Sequence, residues 1–411
     1  ALPSWSADDW EALRSLDYPA VAERMLWPFV EGAMDREIFA ERTADAYDFD
    51  VPIEPYAPGI HLLRLDRGPS ASFKDFAARW MARMLGALRP PDAPVLTVLV
   101  ATSGDTGSAV GQAFHGMSGF RVVLLFPRDE VSRVQRQQLT AIGGNVDALE
   151  IAGTFDDCQR MVKEAFLDPD LRACRLTSAN SISIGRVLPQ MVYYAYAWSR
   201  VCARPAGPVS FCVPSGNLGN AFGCELARRM GLPVRRLILA VNENDEVPRY
   251  LETGTYAPVS PSRKCLSNAM NVGNPSNLAR FFHLFGGGLS RAGRVERAAD
   301  LNQFRSHVES VAVSDADTRA MILRAWRDHG VRLEPHGAVA MQAAERLGFG
   351  PEPMVVLETA HPAKFPEILD PLLGDSPEPP PALKAVMERP SSCTPMSAEY
   401  DELKDYLRSK A

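Results

Sequence analysis

A chain of 411 residues, 46% hydrophobic and 23% charged, has the ordinary balance of a soluble globular protein and exceeds what one core supports, so two or three domains are expected. A formal net charge of -6 argues against nucleic acid as the main partner, while leaving room for one basic pocket that takes a phosphorylated small molecule. Seven scattered cysteines with no C-x-x-C pair exclude a disulfide framework or a zinc site, and no apolar run approaches the ~18 residues of a membrane span. Reduced thiols in a cytoplasmic protein, with no metal and no membrane partner, are the expectation. The first residue is alanine rather than methionine and no signal peptide is visible, which leaves open residues processed or missing at the front.

In chain order, a helical segment comes first (7–16, 20–30 and 35–46). A further helix begins near Lys74, where Phe73, Phe76, Trp80, Met81 and Met84 recur at helical spacing. From Val95 onward, apolar runs alternate with amphipathic stretches. Strands are predicted at 95–101, 121–126, 146–151, 209–213, 236–241 and 354–357, with helices at 108–117, 131–142, 155–166 and 221–230. Continuously apolar strands between helices predict parallel sheets covered on both faces, hence an α/β protein with two sheets. ARPAGP at Ala203–Pro208 is the candidate boundary between the α/β parts, and SPEPPPALK at Ser376–Lys384 reads as an extended linker into a helical tail. The expected division is 1–58 for the N-terminal helical segment, 59–90 with 203–375 for a larger α/β domain, 91–202 for a smaller one, and 376–411 for linker and tail.

Four stretches carry chemistry. In SASFKDF, Lys74 opens a helix between aromatic residues; apolar walls and the helix dipole would lower its pKa and suit it to form an imine with a carbonyl, although most single lysines are merely solvated. In VLVATSGDTG, a strand runs through Thr102, Ser103, Gly104, Asp105 and Thr106 into a helix, an arrangement that either binds an anion or simply caps the helix. In VSFCVPSGNLGN, the turn Gly216-Asn217-Leu218-Gly219-Asn220 can cradle a phosphate but matches neither the dinucleotide nor the Walker pattern. In VVLETAHPAKF, Thr359 offers a neutral hydrogen bond at a strand end, and His361 reads as a proton shuttle or a structural residue.

Taken together, FKDF, TSGDTG, PSGNLGN and TAHPAKF resemble the threonine synthases of the bacterial–fungal branch, as do LTSANSISIGRVLPQ, NENDEVPRYL and LSNAMNVGNPSN. The resemblance implies the fold-type II architecture of pyridoxal-phosphate enzymes, two parallel-sheet α/β domains with the cofactor cleft between them. It also implies conversion of O-phospho-L-homoserine and water into L-threonine and phosphate, the last step of threonine biosynthesis, by a monomer or homodimer. On the same resemblance Lys74 carries pyridoxal 5'-phosphate, Gly216, Asn217, Leu218, Gly219 and Asn220 hold its phosphate, Thr359 faces the ring nitrogen, and Asp105 lies on the side of the ring 3-hydroxyl. Ser103, Thr106, Asn180, Ser181, Arg186 and Lys364 are the candidates for gripping substrate. Two departures stand out: Leu218 occupies an aromatic position of the family loop, and a front segment with a G-L-Y-x-P-type stretch is missing. Alternatives within the same resemblance are a serine/threonine dehydratase and a cofactor-binding relative without turnover.

Overall fold

The computed structural model describes residues 2–181, 183–202, 207–375 and 377–410. The boundary proposed at Ala203–Pro208 lies largely outside the described residues, as do Ser376 of the linker and Ile182 of the Asn180–Arg186 stretch.

Two main sheets organise the chain. The larger has the strand order β1 (Ile53–Ala57), β2 (Ile60–Arg64), β12 (Met354–Glu358), β7 (Val209–Pro214), β8 (Val234–Val241) and β11 (Val308–Ala312). All its pairings are parallel except the β1–β2 hairpin. The smaller is parallel throughout, in the order β13 (Thr394–Ser397), β5 (Val146–Ala152), β4 (Phe120–Pro127), β3 (Leu96–Ala101) and β6 (Leu176–Thr177). A short ribbon joins β9 (Gly288–Leu289) to β10 (Val295–Arg297).

Period-two alternation sends successive strand residues to opposite faces. Phe211, Leu237, Leu239, Val355 and Leu357 join one core, while Cys212, Ile238, Ala240 and Val356 join the other. The first of these cores is closed by the N-terminal helices through Trp10, Leu13, Tyr18, Val21, Met25 and Phe39. The second is closed by helix Pro335–Leu347. In the smaller sheet Val98, Val100, Val122 and Leu124 face one way, and Leu99, Ala101, Val123 and Leu125 the other.

Two features differ from the sequence reading. The segment ahead of residue 58 is not wholly helical, because β1 forms a hairpin with β2 at the edge of the larger sheet. The end of the chain is not only a linker and helix: β13 pairs in parallel with β5, and Met396, Leu403 and Leu407 enter the core on that face. The polar TPMS sequence of β13 lacks strand periodicity, and its Pro395 is tolerated because β13 is an edge strand.

Candidate active site

In the larger sheet, β2, β12 and β7 are adjacent and parallel, so their carboxyl ends share one edge. Neighbouring strands lie roughly 4.8 Å apart, which gathers the three following loops within about 10 Å along that edge. The loop after β2 leads to Lys74, the loop after β12 carries Thr359, and the loop after β7 is Ser215–Asn220. Backbone bonds clamp the first two together: Phe73 N donates to Thr359 O (2.9 Å), His361 N to Ala71 O (3.0 Å) and Leu65 N to Glu358 O (3.0 Å). β3 and β6 of the smaller sheet are likewise adjacent and parallel, which juxtaposes Thr102–Thr106 with the Asn180–Arg186 stretch. Ligands of open α/β sheets bind at such edges.

Lys74 begins helix Lys74–Leu88. The residue is half-buried. Its Nζ lies 4.3 Å from the centroid of the Phe73 ring, and no side chain or carbonyl among the described residues is hydrogen-bonded to it. Burial lowers the amine from an ordinary 10.5 to about 8; the Asp105 carboxylate opposes this, and the Arg186 and Lys364 cations add to it. Lys74, Asp105, Arg186 and Lys364 are therefore one electrostatic group. Asp105 pairs with Lys364 (2.7 Å), both being buried, and also accepts from Gln135 Nε2 (3.0 Å). Burial alone would raise the Asp105 carboxyl, but the Lys364 and Lys74 ammonium groups hold it well below its usual range. Lys364 also donates to Ser70 O (3.0 Å), so its ammonium is engaged inside the protein at Asp105 and not presented to a passing phosphate.

The loop after β7 is a cradle. Leu218 adopts a left-handed conformation (φ 60°), and helix Gly219–Met230 starts behind it. Among the described residues, the N–H groups of Gly216 through Asn220 have no protein acceptor. Gly216 permits close approach, since a Cβ there would lie 2.8 Å from Met270 Cα and 3.0 Å from Ala269 O. The loop is held by side chains behind it: Asn217 Nδ2 donates to Ser181 Oγ (2.8 Å), Ser276 N to Asn217 Oδ1 (2.6 Å) and Asn277 Nδ2 to Asn217 O (2.9 Å). Asn220 Oδ1 accepts from the hydroxyls of Tyr193 and Tyr194, leaving its buried Nδ2 without a partner. Open N–H groups at a helix N-terminus suit a phosphate, and an uncommitted amine of lowered pKa on the same edge suits an aldehyde. The residues fit pyridoxal phosphate.

Thr102, not Ser103 or Thr106, caps the loop after β3: its Oγ1 accepts from Gly104 N (3.0 Å) and Gly107 N (2.8 Å). That leaves the Ser103 and Thr106 hydroxyls without protein partners among the described residues, at the mouth of helix Asp105–Phe114. Asn180 reaches Ala101 O through Nδ2 (3.0 Å), and Ser181 meets the phosphate loop. Arg186 is buried; one Nη donates to Ala179 O, whereas its buried Nε has no partner. Burial lowers its guanidinium to about 10, against the pull of Asp75.

His361 has a structural place. Its Nδ1 accepts from Ala363 N (3.2 Å), capping the turn Pro362–Lys364, and burial lowers it to about 4, so it stays neutral. The sequence reading missed Gln135, which links Asp105 to Asn268 (2.9 Å from Asn268 Nδ2), and Glu334, whose Oε1 is 3.5 Å from Thr359 Oγ1. Their signals were present: Ser132 and Gln135 form a capping box, and Glu334 before Pro335 marks a helix start.

The family described as "Pyridoxal-phosphate dependent enzyme" matches residues 54–359, and "Threonine synthase, C-terminal" matches residues 337–407. The threonine synthase of Escherichia coli (strain K12) is 36% identical over 99% of this chain and 91% of its own length. A crystal structure of threonine synthase from Brucella melitensis with pyridoxal phosphate bound superposes with a TM-score of 0.91, at 35% identity over 99% of this chain and 92% of that one. The yeast threonine synthase structure gives a TM-score of 0.86 at 25% identity, over 100% of this chain and 92% of that one. The chain therefore belongs to the threonine synthase family of pyridoxal-phosphate dependent enzymes.

Proposed function

We propose that this chain converts O-phospho-L-homoserine and water into L-threonine and phosphate. The observation that carries the reading is the Lys74 amine, lowered to about 8 and without a hydrogen-bond partner among the described residues, on the same sheet edge as the open Gly216–Asn220 cradle. When bound, pyridoxal phosphate supplies an electron sink for the carbon next to the substrate amine. Lys74 holds the cofactor and then serves as the base that takes a proton first from Cα and then from Cβ of the substrate. The second removal is needed because the phosphate leaves from Cγ, two bonds from the activated carbon. Gly216 to Asn220 would hold the cofactor phosphate through backbone N–H groups, Thr359 would partner the ring nitrogen, and Asp105, its charge balanced by Lys364, would serve the side of the ring 3-hydroxyl.

Ser103, Thr106, Asn180, Ser181 and Arg186 hold the substrate carboxylate and phosphate. Arg186 is suited to the phosphate because its guanidinium retains a buried, unpartnered Nε and Arg grips phosphate by two bonds at once. Arg186→Ala is expected to raise KM for phosphohomoserine about 10- to 100-fold, the worth of a charge-assisted hydrogen bond, with an unchanged spectrum of the bound cofactor. Unchanged KM would remove Arg186 from the substrate site. Gly216→Ala should lower stability by about 1–3 kcal/mol, because the methyl group meets backbone rather than a movable side chain. Equilibrium dialysis should also show weaker retention of pyridoxal phosphate in that variant.

The domain division given by the sequence belongs to this reading, supported by the strands of the smaller sheet falling between β2 and β7, apart from β13. A cytoplasmic monomer or homodimer acting on a small molecule is part of it too. No described helix is long and apolar enough to cross a membrane, and no disulfide joins cysteines among the described residues. The deciding experiment couples two measurements. Borohydride reduction of the loaded protein should place the adduct on the Ser70–Arg79 peptide. Phosphate release from phosphohomoserine should match threonine formed one for one. Keto acid from L-serine or L-threonine without phosphate chemistry would instead make the chain a dehydratase.

A further inference from the structure

Glu334 is fully buried between the Thr359 hydroxyl and the start of helix Pro335–Leu347. Its Oε1 accepts from Gly337 N (2.9 Å) and faces Thr359 Oγ1 (3.5 Å); its Oε2 accepts from His336 N (2.8 Å) and His336 Nδ1 (2.5 Å). His336 Nε2 accepts from Ala269 N (3.2 Å), so Nδ1 carries the hydrogen and donates to Glu334. A second buried carboxyl, Glu358, is placed quite differently. Its Oε1 accepts from Glu334 N (2.9 Å), while its Oε2 is buried without a partner and presses on Gly337, where a Cβ would sit 1.6 Å away.

Two neighbouring buried carboxyls do not both ionise. Backbone and imidazole donors and a helix N-terminus converge on Glu334, so the negative charge sits there and Glu358 keeps its proton. Burial and the neighbouring Glu334 push the Glu358 carboxyl well above its usual range; Arg64 opposes this only in part, being engaged with Asp66 and Glu54, while Asp66 adds to the rise.

We propose that Glu334 is a positioning residue acting through Thr359: it takes the hydroxyl hydrogen of Thr359 and thereby selects a protonated, N–H-bearing ring nitrogen in the cofactor. The inference rests on the reading that Thr359 faces that nitrogen. A hydroxyl has one hydrogen, and a bond to an ionised carboxylate is about twice as strong as one to a neutral acceptor, so Glu334 wins it. The Thr359 oxygen then presents only lone pairs to the ring, and its partner must bring the hydrogen. The 3.5 Å separation is the outer limit of such a bond, and contacts of this kind tighten when a ligand is seated. A neutral strand-end threonine thus delivers the influence of a carboxylate one bond further back, making the cofactor a stronger electron sink for a reaction that removes two protons.

The test is nitrogen NMR of holoenzyme reconstituted with pyridoxal phosphate isotope-labelled at the ring nitrogen. The wild-type protein should show the pyridinium shift, and Glu334→Gln should move it towards neutral pyridine. Thr359→Ser should keep the wild-type shift, Thr359→Val should lose it, and Glu358→Gln, which replaces a carboxyl already neutral, should leave it in place. The Thr359 pair keeps the question decidable should the helix cap not survive in Glu334→Gln. A neutral-pyridine shift in the wild-type holoenzyme, or a pyridinium shift that persists in both Glu334→Gln and Thr359→Val, overturns the inference while leaving the cofactor assignment intact. A wild-type protein that retains no cofactor overturns that assignment, and the inference with it.

Discussion

Lys74→Ala is expected to lower kcat by about 10³-fold or more, since it deletes both the cofactor's covalent anchor and the base for two proton removals. Borohydride should then leave no adduct on the protein. The amine also sets a pH dependence that can be read without substrate. Loading of the wild-type protein with pyridoxal phosphate should accelerate with rising pH through about 8, because only the unprotonated amine attacks the aldehyde. An unperturbed lysine would place that midpoint near 10.4. Stability carries the same signature with a definite sign. The folded-state pKa is depressed, so between about 8 and 10.5 the unfolded chain binds more protons and stability climbs with pH. Lys74→Met should therefore stabilise the unloaded protein below that window and lose its advantage above it. A loading midpoint near 10 together with unchanged melting in the variant would contradict the buried, uncommitted amine.

Lys364→Met should cost about 3–5 kcal/mol of unfolding free energy, the penalty for leaving one partner of a buried ion pair uncompensated. The stranded partner is Asp105, 2.7 Å from the ammonium and buried with it. Adding Asp105→Asn to that variant should restore a large part of the loss, which a double-mutant cycle in urea would measure. The acid limb follows from the depressed Asp105 carboxyl: the pair's contribution is fully present above about pH 4 and disappears as pH falls further. Lys364→Met should also move the Lys74 loading midpoint upward, because it removes a cation and frees a neighbouring carboxylate. Additive single-variant losses would mean that the two groups do not act as a pair.

What was legible in the sequence divides along physical lines. The long apolar strands and the helices between them were visible because burial on both faces leaves continuous Val, Leu and Ile runs. The short, polar or edge elements were not: β6, β11 and β13 owe their pairing to neighbours far along the chain rather than to their own pattern. Among candidate site residues, those carried by glycine-rich or hydroxyl-rich turns sit on the shared strand edges. Lys364 shows where a chain of letters stops informing. A lysine after a strand end reads as a free cation, and only the fold reveals that Asp105, from the other sheet's helix, already holds it. The signal at Glu334 was structural only: a glutamate before a proline announces a helix cap, and nothing local says that Thr359 stands on its other side.

The pairing of β13 with β5 also constrains how the molecule comes into being. Every other strand of the smaller sheet lies within residues 96–177, so that sheet can assemble early during synthesis. Until Thr394–Ser397 emerges, however, the outer flank of β5 offers unpaired backbone donors and acceptors to any passing extended peptide. A nascent chain is thus sticky along one defined border, and translation of the segment that carries β13 is what seals it.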